Sequence, residues 1–185
     1  MAISRGQAWE LLTEYTTKQG LIKHALAVEA AMRDYAEKLG EDVESWGIVG
    51  LIHDFDYERY PSLEDHPFKG VEILKERGYP PAWTTAILGH GNHTGVPREG
   101  LMAKALFAVD ELTGFIVAVT LVRPSKKIAD VKASSVKKKM KDKAFAAAVN
   151  RDDIRQGAEE LGVPLDEHIS TVIGAMQKIA DEIGL

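Results

Sequence analysis

Two histidines and two aspartates have residue types and positions that suggest chemistry. His24 lies on the apolar stripe of a predicted helix, and the pair His53-Asp54 directly follows the apolar residues 49–52. Asp110 lies inside "KALFAVDELTGFIVAV", the least polar stretch of the chain. A buried carboxylate without a partner is unfavourable or takes up a proton, so we expect a cation to face Asp110.

Imidazole and carboxylate groups together form a good ligand set for a divalent first-row metal ion. The chain has no cysteine, which excludes thiolate ligands, thiol nucleophiles and disulfides. The alternative is a set of ordinary contacts, with a hydrogen-bonded core histidine and aspartates paired to Lys or Arg. Because the polar residues recur at the inner faces or ends of three predicted helices, we favour a metal site between helices.

Several helices must position these residues, and the hydrophobic periodicity is helical along nearly the whole chain. Ser4 and Gln7 have the spacing of a capping box, Asp42 and Asp166 are predicted N-caps, and Gly40 is a predicted C-terminal stop. The predicted helices cover about 4–17, 20–40, 43–54, 66–78, 82–90, 99–122, 134–149, 152–161 and a final segment from 166.

The segment "GFIVAVTLV" also fits a strand, but it continues an apolar helix that begins near Leu101, so we interpret it as helix. The sequence therefore predicts an all-α fold, a single compact helical bundle over residues 1–185. Within it we expect a metal-site core at about 20–125, with C-terminal helices at 126–185 packed on that core.

Composition favours an ordinary globular protein. A chain of 185 residues with 45% hydrophobic residues is long enough to bury a core. Its N-terminus lacks the apolar stretch of a signal peptide, and no window approaches the roughly 20 apolar residues of a membrane span. We therefore expect a cytoplasmic protein without a membrane partner.

Positive charge is concentrated in one segment. The net charge is −5, but residues 123–151 carry +8, which leaves −13 on the rest of the chain. A solvated helix face is the ordinary explanation, and an anionic ligand meeting this face is the alternative. Nucleic acid is not favoured as a partner, because "KKKMKDK" has no interleaved aromatic residues.

The ordered set of His24, His53-Asp54 and Asp110 resembles the HD-domain superfamily of metal-dependent phosphohydrolases. The segments "HPFKG" at 66–70 and "LGHGNH" at 88–93 are similar to elements of many members, and the resemblance covers about residues 24–110. It implies an HD-type helical bundle in which His24, His53, Asp54 and Asp110 bind a first divalent metal ion.

The resemblance also raises the question of a second ion. In members with two ions, histidines of the middle helices bind the second one and the aspartate of the HD pair bridges, which implies His66 and His90 here. His93 is a nearby alternative, or an exposed loop residue. One or two ions of Mn, Fe, Ni, Co, Mg or Zn are consistent with these ligands. His168 is expected at the surface.

The implied reaction is hydrolysis of a phosphomonoester or phosphodiester in a small molecule, with a nucleotide as the first expectation. A bound divalent ion lowers the pKa of its water toward about 7, which supplies hydroxide near neutral pH. The predicted catalytic residues are Asp54, Asp56 and Glu58, although the last two could equally be surface carboxylates in a turn.

The predicted substrate contacts are Lys69, His93 and Arg123. Arg123 follows the helix of Asp110 by about four turns, which is about 20 Å by helix rise, so it reaches the site only if the chain folds back.

Two other functions remain open at this point. Some HD-domain proteins hold two irons with the six-ligand set and oxidise organic substrates, and His66 together with His90 would suit that activity. A non-catalytic module that binds a metal or ligand is the third hypothesis. An oligomer is possible, because the apolar faces of the last helix and of "KAFAAAVN" could pack against a partner.

Overall fold

In the computed structural model, residues 3–185 are described, and they form ten α-helices, two short 3-10 helices and no β-strand. The all-α prediction is confirmed. The α-helices are α1 Arg5–Tyr15, α2 Gln19–Leu39, α3 Val43–Ile52, α4 Phe68–Glu76, α5 Pro81–Gly89, α6 Leu101–Leu121, α7 Ala133–Met140, α8 Arg151–Leu161, α9 Leu165–Lys178 and α10 Ala180–Ile183. The 3-10 helices are Asn92–Thr94 and Ile128–Asp130. No helix of this described part is long and apolar enough to cross a membrane.

The start of α1, the end of α2 and the start of α3 depend on local caps. Ser4 and Gln7 form the predicted capping box, in which Ser4 N–H donates to Gln7 Oε1 at 2.9 Å and Gln7 N–H donates to Ser4 Oγ at 3.3 Å. The Asp42 carboxylate accepts the N–H groups of the first turn of α3. Gly40 ends α2 with φ 72°, a left-handed conformation that glycine adopts without steric cost.

Two helix predictions in the C-terminal third are wrong. Asp166 does not cap α9, because that helix begins after Pro164 and Asp166 lies in its first turn, 2.8 Å from Lys137 Nζ. The helix predicted at 134–149 ends at Met140. The chain leaves the helix because the Arg151 guanidinium binds the backbone carbonyls of residues 142, 145, 146 and 149, which fixes a compact turn.

The helices α2 and α6, each of 21 residues, pack against each other in the centre of the molecule. Helix α3 packs on α2, while α8 and α9 pack on α6. Buried apolar side chains from α1 through α10 belong to one hydrophobic cluster. The central pair brings His24 of α2 next to Asp110 of α6, and the end of α3 adds His53 and Asp54.

One glycine sets the distance between α6 and α8. A Cβ atom built on Gly157 of α8 would lie 2.5 Å from the Cα atom of Ala108 on α6, which is closer than real Cβ atoms approach backbone. The missing side chain therefore allows α8 to lie directly against α6. This packing brings the start of α8, with Asn150 and Asp153, beside the turn of α6 that carries Asp110.

The prediction that His168 lies at the surface is wrong, because its exposed fraction is 0%. Its Nε2–H donates to the carbonyl of Ala108 at 2.8 Å, and its Nδ1 accepts from the hydroxyl of Tyr35 at 2.5 Å. Burial lowers the pKa of His168 to about 4, so the imidazole is neutral at pH 7. His168 connects α9 to both central helices.

Candidate metal centre

The first group of possible ligands combines α2, the end of α3 and α6. His24 Nε2 lies 2.9 Å and His53 Nε2 lies 3.3 Å from Asp110 Oδ1. The other carboxylate, Asp54, places Oδ2 at 3.5 Å from His53 Nε2 and 3.9 Å from His24 Nε2. One donor atom from each of the four residues lies within 4.8 Å of all the others, so the group could hold one metal ion.

The second group lies on the other side of Asp54. The Oδ1 atom of Asp54 is 3.1 Å from His66 Nε2 and 3.3 Å from His90 Nε2, and the two Nε2 atoms are 3.3 Å apart. These three residues also satisfy the geometry of a metal site. Asp54 belongs to both groups and faces each with a different oxygen atom. The carboxylate therefore contributes one oxygen atom to each group of possible ligands.

Backbone carbonyls orient two of the imidazoles. His53 Nδ1 donates to Gly50 O at 2.7 Å, and His90 Nδ1 donates to Ile87 O at 2.5 Å. Both carbonyls lie three residues earlier, in the last turns of α3 and α5. With Nδ1 protonated and engaged, the lone pair of the neutral ring is on Nε2, which faces Asp54. This is the arrangement in which histidine binds a metal ion.

A buried carboxylate orients His66. Asp56 Oδ1 accepts from His66 Nδ1 at 2.9 Å, and Asp56 Oδ2 accepts from Gly70 N–H at 2.9 Å. A Cβ atom on Gly70 would lie 2.6 Å from Asp56 Cγ, so only glycine leaves room for this carboxylate. The contact explains the spacing of "HPFKG", in which the histidine faces Asp54 and the glycine receives the residue that orients it.

Two buried atoms of the cluster have no hydrogen-bond partner among residues 3–185, namely His53 Nε2 and Asp54 Oδ1. Unpartnered buried polar atoms are rare in folded proteins, and such atoms are typical of a site that binds an ion. A divalent cation would satisfy both atoms, and nitrogen with carboxylate oxygen is a set of donors that Mn, Fe, Co, Ni and Zn accept. The residues present therefore fit the group that the sequence implies.

The ionisation of the cluster follows from the same contacts. Burial lowers the pKa of His66, but the close approach of Asp54 and the hydrogen bond to Asp56 outweigh that effect and raise the pKa to about 10. Burial alone would also lower the pKa values of His53 and His90. The facing carboxylates outweigh that effect, so both pKa values are raised. Without a cation the carboxylates stabilise protons on the imidazoles, and a bound metal ion would replace those protons.

The carboxylates show the complementary effect. Burial alone would raise the pKa of Asp54 and of Asp110. Attraction to His53 and the close approach of His66 and His90 to Oδ1 instead hold the pKa of Asp54 well below its usual range. The hydrogen bond from His24 and the close approach of His53 lower the pKa of Asp110. Both aspartates are anionic at neutral pH, as metal ligation requires.

A cavity of about 700 Å³ opens above the two groups. His93 lines its wall, and His93 Nε2 lies 3.0 Å from the carbonyl of His66, to which it donates. The lining residues are His24, Asp54, Tyr57, Leu63, His66, His90, Gly91, Asn92, His93, Asp110, Glu111, Gly114, Ala148, Asn150 and Asp153.

Four of the predicted catalytic and substrate-binding residues do not line this cavity, and the fully buried His53 does not line it either. Asp56 is buried behind His66 and contacts it as described above. The Glu58 carboxylate accepts the N–H groups of Thr17 at 2.8 Å and Lys18 at 3.0 Å, where it stabilises the start of α2. A general acid or base must reach the substrate, so the geometry disfavours that role for Asp56 and Glu58.

Neither basic residue that was predicted to contact phosphate faces the cavity. Lys69 is exposed and forms an ion pair with Glu72 at 3.1 Å. Arg123 follows the far end of α6, and the chain does not fold back to bring it to Asp110. Among the predicted substrate contacts, the structure places only His93 at the site.

Sequence reasoning missed the polar residues of the cavity wall. Glu111 directly follows Asp110, and Asn150 is the N-cap of α8, so both had a local signal. Asp153 had none, because its place beside the cavity depends on the packing of α8 against α6. The side chain of Asn92, in the 3-10 helix, reaches Asp153 Oδ1 at 3.0 Å.

Comparison with protein families matches the family described as "HD domain" over residues 21–114, which is half of the chain and includes all six possible ligands. The chain belongs to the HD-domain family. Members of this superfamily are generally metal-dependent phosphohydrolases, and the His/Asp cluster is consistent with a divalent metal. The comparisons with curated proteins and with solved structures gave no match.

Proposed function

We propose that this chain hydrolyses a phosphate ester of a small molecule with the help of divalent metal ions. One observation carries the proposal: six side chains converge in two groups that share Asp54, and five of them, all but the buried His53, line an open cavity. Two groups joined by one carboxylate suit two ions held side by side, which is a recurring arrangement in phosphatases.

Each ligand has a proposed role that follows from its contacts. His24, His53, Asp54 and Asp110 would hold the first ion, while Asp54, His66 and His90 would hold the second. When bound, such ions polarise a phosphoryl oxygen and lower the pKa of coordinated water toward about 7. Backbone carbonyls keep His53 and His90 in the ligating tautomer.

Three further residues support this arrangement without being ligands in the proposal. Asp56 is a positioning residue, because it orients His66 through Nδ1. His93 and Tyr57 line the cavity and are the proposed contacts to the ester. The size of the cavity favours a small molecule over a macromolecule, since pockets of about 300–1,000 Å³ are typical of small-ligand sites.

Metal-dependent turnover tests the proposal directly. The metal-free protein is supplied separately with Mn, Co, Ni, Mg or Fe(II) and assayed with p-nitrophenyl phosphate and bis-p-nitrophenyl phosphate. We expect hydrolysis of at least one ester with at least one metal, and loss of that hydrolysis with EDTA. The His53→Ala variant should be inactive, whereas Asp152→Asn should retain full activity because Asp152 lies outside the cavity. No hydrolysis with any of these metals would contradict the proposal.

The two groups also suit a pair of iron ions in an oxygenase that acts on a small organic substrate. The observation that favours this second candidate is the convergence of His66 and His90 on Asp54 Oδ1, which completes a six-ligand set. Iron content and visible absorption of a freshly purified sample distinguish the candidates. Two irons per chain in a coloured protein that hydrolyses no phosphate ester would favour the oxygenase.

A further inference from the structure

The wall of the cavity carries two carboxylates that are not part of the ligand groups. Glu111 Oε2 accepts from the backbone N–H of Asn150 at 3.1 Å, and Asp153 Oδ1 accepts from Asn92 Nδ2 at 3.0 Å. The second oxygen atoms, Glu111 Oε1 and Asp153 Oδ2, have no hydrogen-bond partner among residues 3–185. We call Asn92, Glu111, Asn150 and Asp153 the acidic wall.

No lysine or arginine is among the residues that line the cavity within the described chain. Two arginines adjoin the acidic wall, and both are engaged elsewhere. Arg98 forms two contacts of 2.7 Å with the Glu160 carboxylate and donates to Asn92 Oδ1 at 3.0 Å. Arg151 donates to backbone carbonyls, including those of Ala146 and Val149 at 2.6 Å each. Neither guanidinium is available to bind an anionic group of a substrate.

From this wall we infer that the substrate carries a single phosphoryl group and, a few atoms away, a hydroxyl or ammonium group that donates to Glu111 and Asp153. This inference rests on the proposed phosphohydrolase function and narrows its substrate class. The free oxygen atoms of these two carboxyl groups can accept hydrogen bonds from such a donor. At the acidic wall a second anionic group would face carboxyl groups, with no lysine or arginine among the described residues that line the cavity, so nucleoside diphosphates and other polyanions are disfavoured.

Four phosphate esters of nearly equal length isolate this preference. Ethyl, 2-hydroxyethyl, 2-aminoethyl and carboxymethyl phosphate differ only in the terminal group that would reach the acidic wall. With the metal-loaded protein, we expect kcat/KM for the hydroxyethyl or aminoethyl ester to exceed that for ethyl phosphate by about tenfold or more, as for a hydrogen bond to a charged group. Carboxymethyl phosphate should be the poorest substrate of the series.

Variants of the wall separate a hydroxyl from an ammonium group. The double variant Glu111→Gln, Asp153→Asn keeps a hydrogen-bond acceptor at each position but removes both carboxyl groups. A preference for the aminoethyl ester should fall toward that for ethyl phosphate, whereas a preference for the hydroxyethyl ester should be largely retained. In either case carboxymethyl phosphate should improve. The matched control Asp152→Asn changes a neighbouring carboxylate that is 92% exposed and bound to Arg155, and it should leave the order unchanged.

The wild-type series decides the inference even if the double variant does not fold. Equal kcat/KM for all four esters, or fastest hydrolysis of carboxymethyl phosphate, would overturn the inference while the proposed function stands. Hydrolysis of none of the esters, together with none of the p-nitrophenyl esters, would overturn both.

Discussion

Two buried histidines of this protein differ in whether both of their ring nitrogen atoms form hydrogen bonds. His53 and His168 are both 0% exposed. His168 uses both ring nitrogens in hydrogen bonds to neutral groups, so its surroundings are complete. His53 uses only Nδ1, and its Nε2 faces Asp54 and Asp110 without a hydrogen-bond partner in residues 3–185. Burial therefore does not distinguish a ligand from a structural histidine, whereas an unpartnered nitrogen beside carboxylates does.

Removing each histidine in turn should give opposite results. We expect His53→Ala, and also Asp110→Ala, to lose the bound metal, because each removes a donor from the first group. His168→Ala should retain the metal but lower the free energy of unfolding by about 3 kcal/mol, since it leaves a cavity and an unsatisfied Tyr35 hydroxyl. Elemental analysis and urea denaturation of the variants measure the two effects. A full metal complement in His53→Ala would show that His53, like His168, is not needed to bind the metal.

The pH dependence of stability should also differ between the regions. The pKa of His168 is about 4 in the folded protein and about 6.5 when unfolded, so its neutral form stabilises the fold above pH 6.5. That stabilisation, about 3 kcal/mol, is lost as pH falls from 6.5 through 4.

His66 has the opposite sign in metal-free protein. Its folded pKa of about 10 gives a stabilisation that is complete below pH 6.5 and is lost as pH rises through 10. Urea denaturation from pH 4 to 10 in the presence of EDTA, for wild type beside His168→Gln and His66→Gln, isolates each contribution as a difference. A wild-type minus His168→Gln difference that stays constant between pH 6.5 and 4 would show that His168 is not neutral by burial.

A smaller effect on metal binding is expected from Asp56, which contacts the possible ligand His66 without belonging to either ligand group. Asp56→Asn should weaken metal binding about 10–100-fold, because the amide cannot accept from both His66 and Gly70. Glu58→Gln is the matched control, since Glu58 holds the start of α2 and should leave metal affinity unchanged. Competition with a metal-binding dye measures both affinities. Equal affinities in the two variants would mean that His66 needs no orienting carboxylate.

The elements that sequence predicted well depend on neighbouring residues. The capping box at Ser4, the cap at Asp42 and the glycine stop at Gly40 are local signals, and all three appear as predicted. The end of α7 at Met140 was missed because the turn after it is held by Arg151, which lies beyond the segment whose periodicity was read.

His168 shows that a local signal can also be overlooked. Its flanking acidic residues favoured a surface position, but His168, Val172 and Met176 are spaced four apart and therefore share the buried face of α9. The acidic residues Asp166 and Glu167, which precede His168 in the sequence, are exposed and lie on the other face of α9. Spacing was the better guide than the charge of adjacent residues.

The candidate site also has one part that the sequence could predict and one part that it could not. The order of His24, His53-Asp54 and Asp110 made the convergence of these four side chains predictable through the family resemblance. The acidic wall was not predictable, because Asp153 and Asn92 are 61 residues apart and meet only through the packing of α8 on α6.

The packing of α8 on α6 depends on the missing side chain at Gly157. A single added methyl group there would collide with the backbone of Ala108 and force α8, together with Asp153, away from α6. The position of Asp153 in the cavity wall thus depends on a residue that does not line the cavity. We expect Gly157→Ala to change the shape of the cavity while every side chain that lines it stays the same.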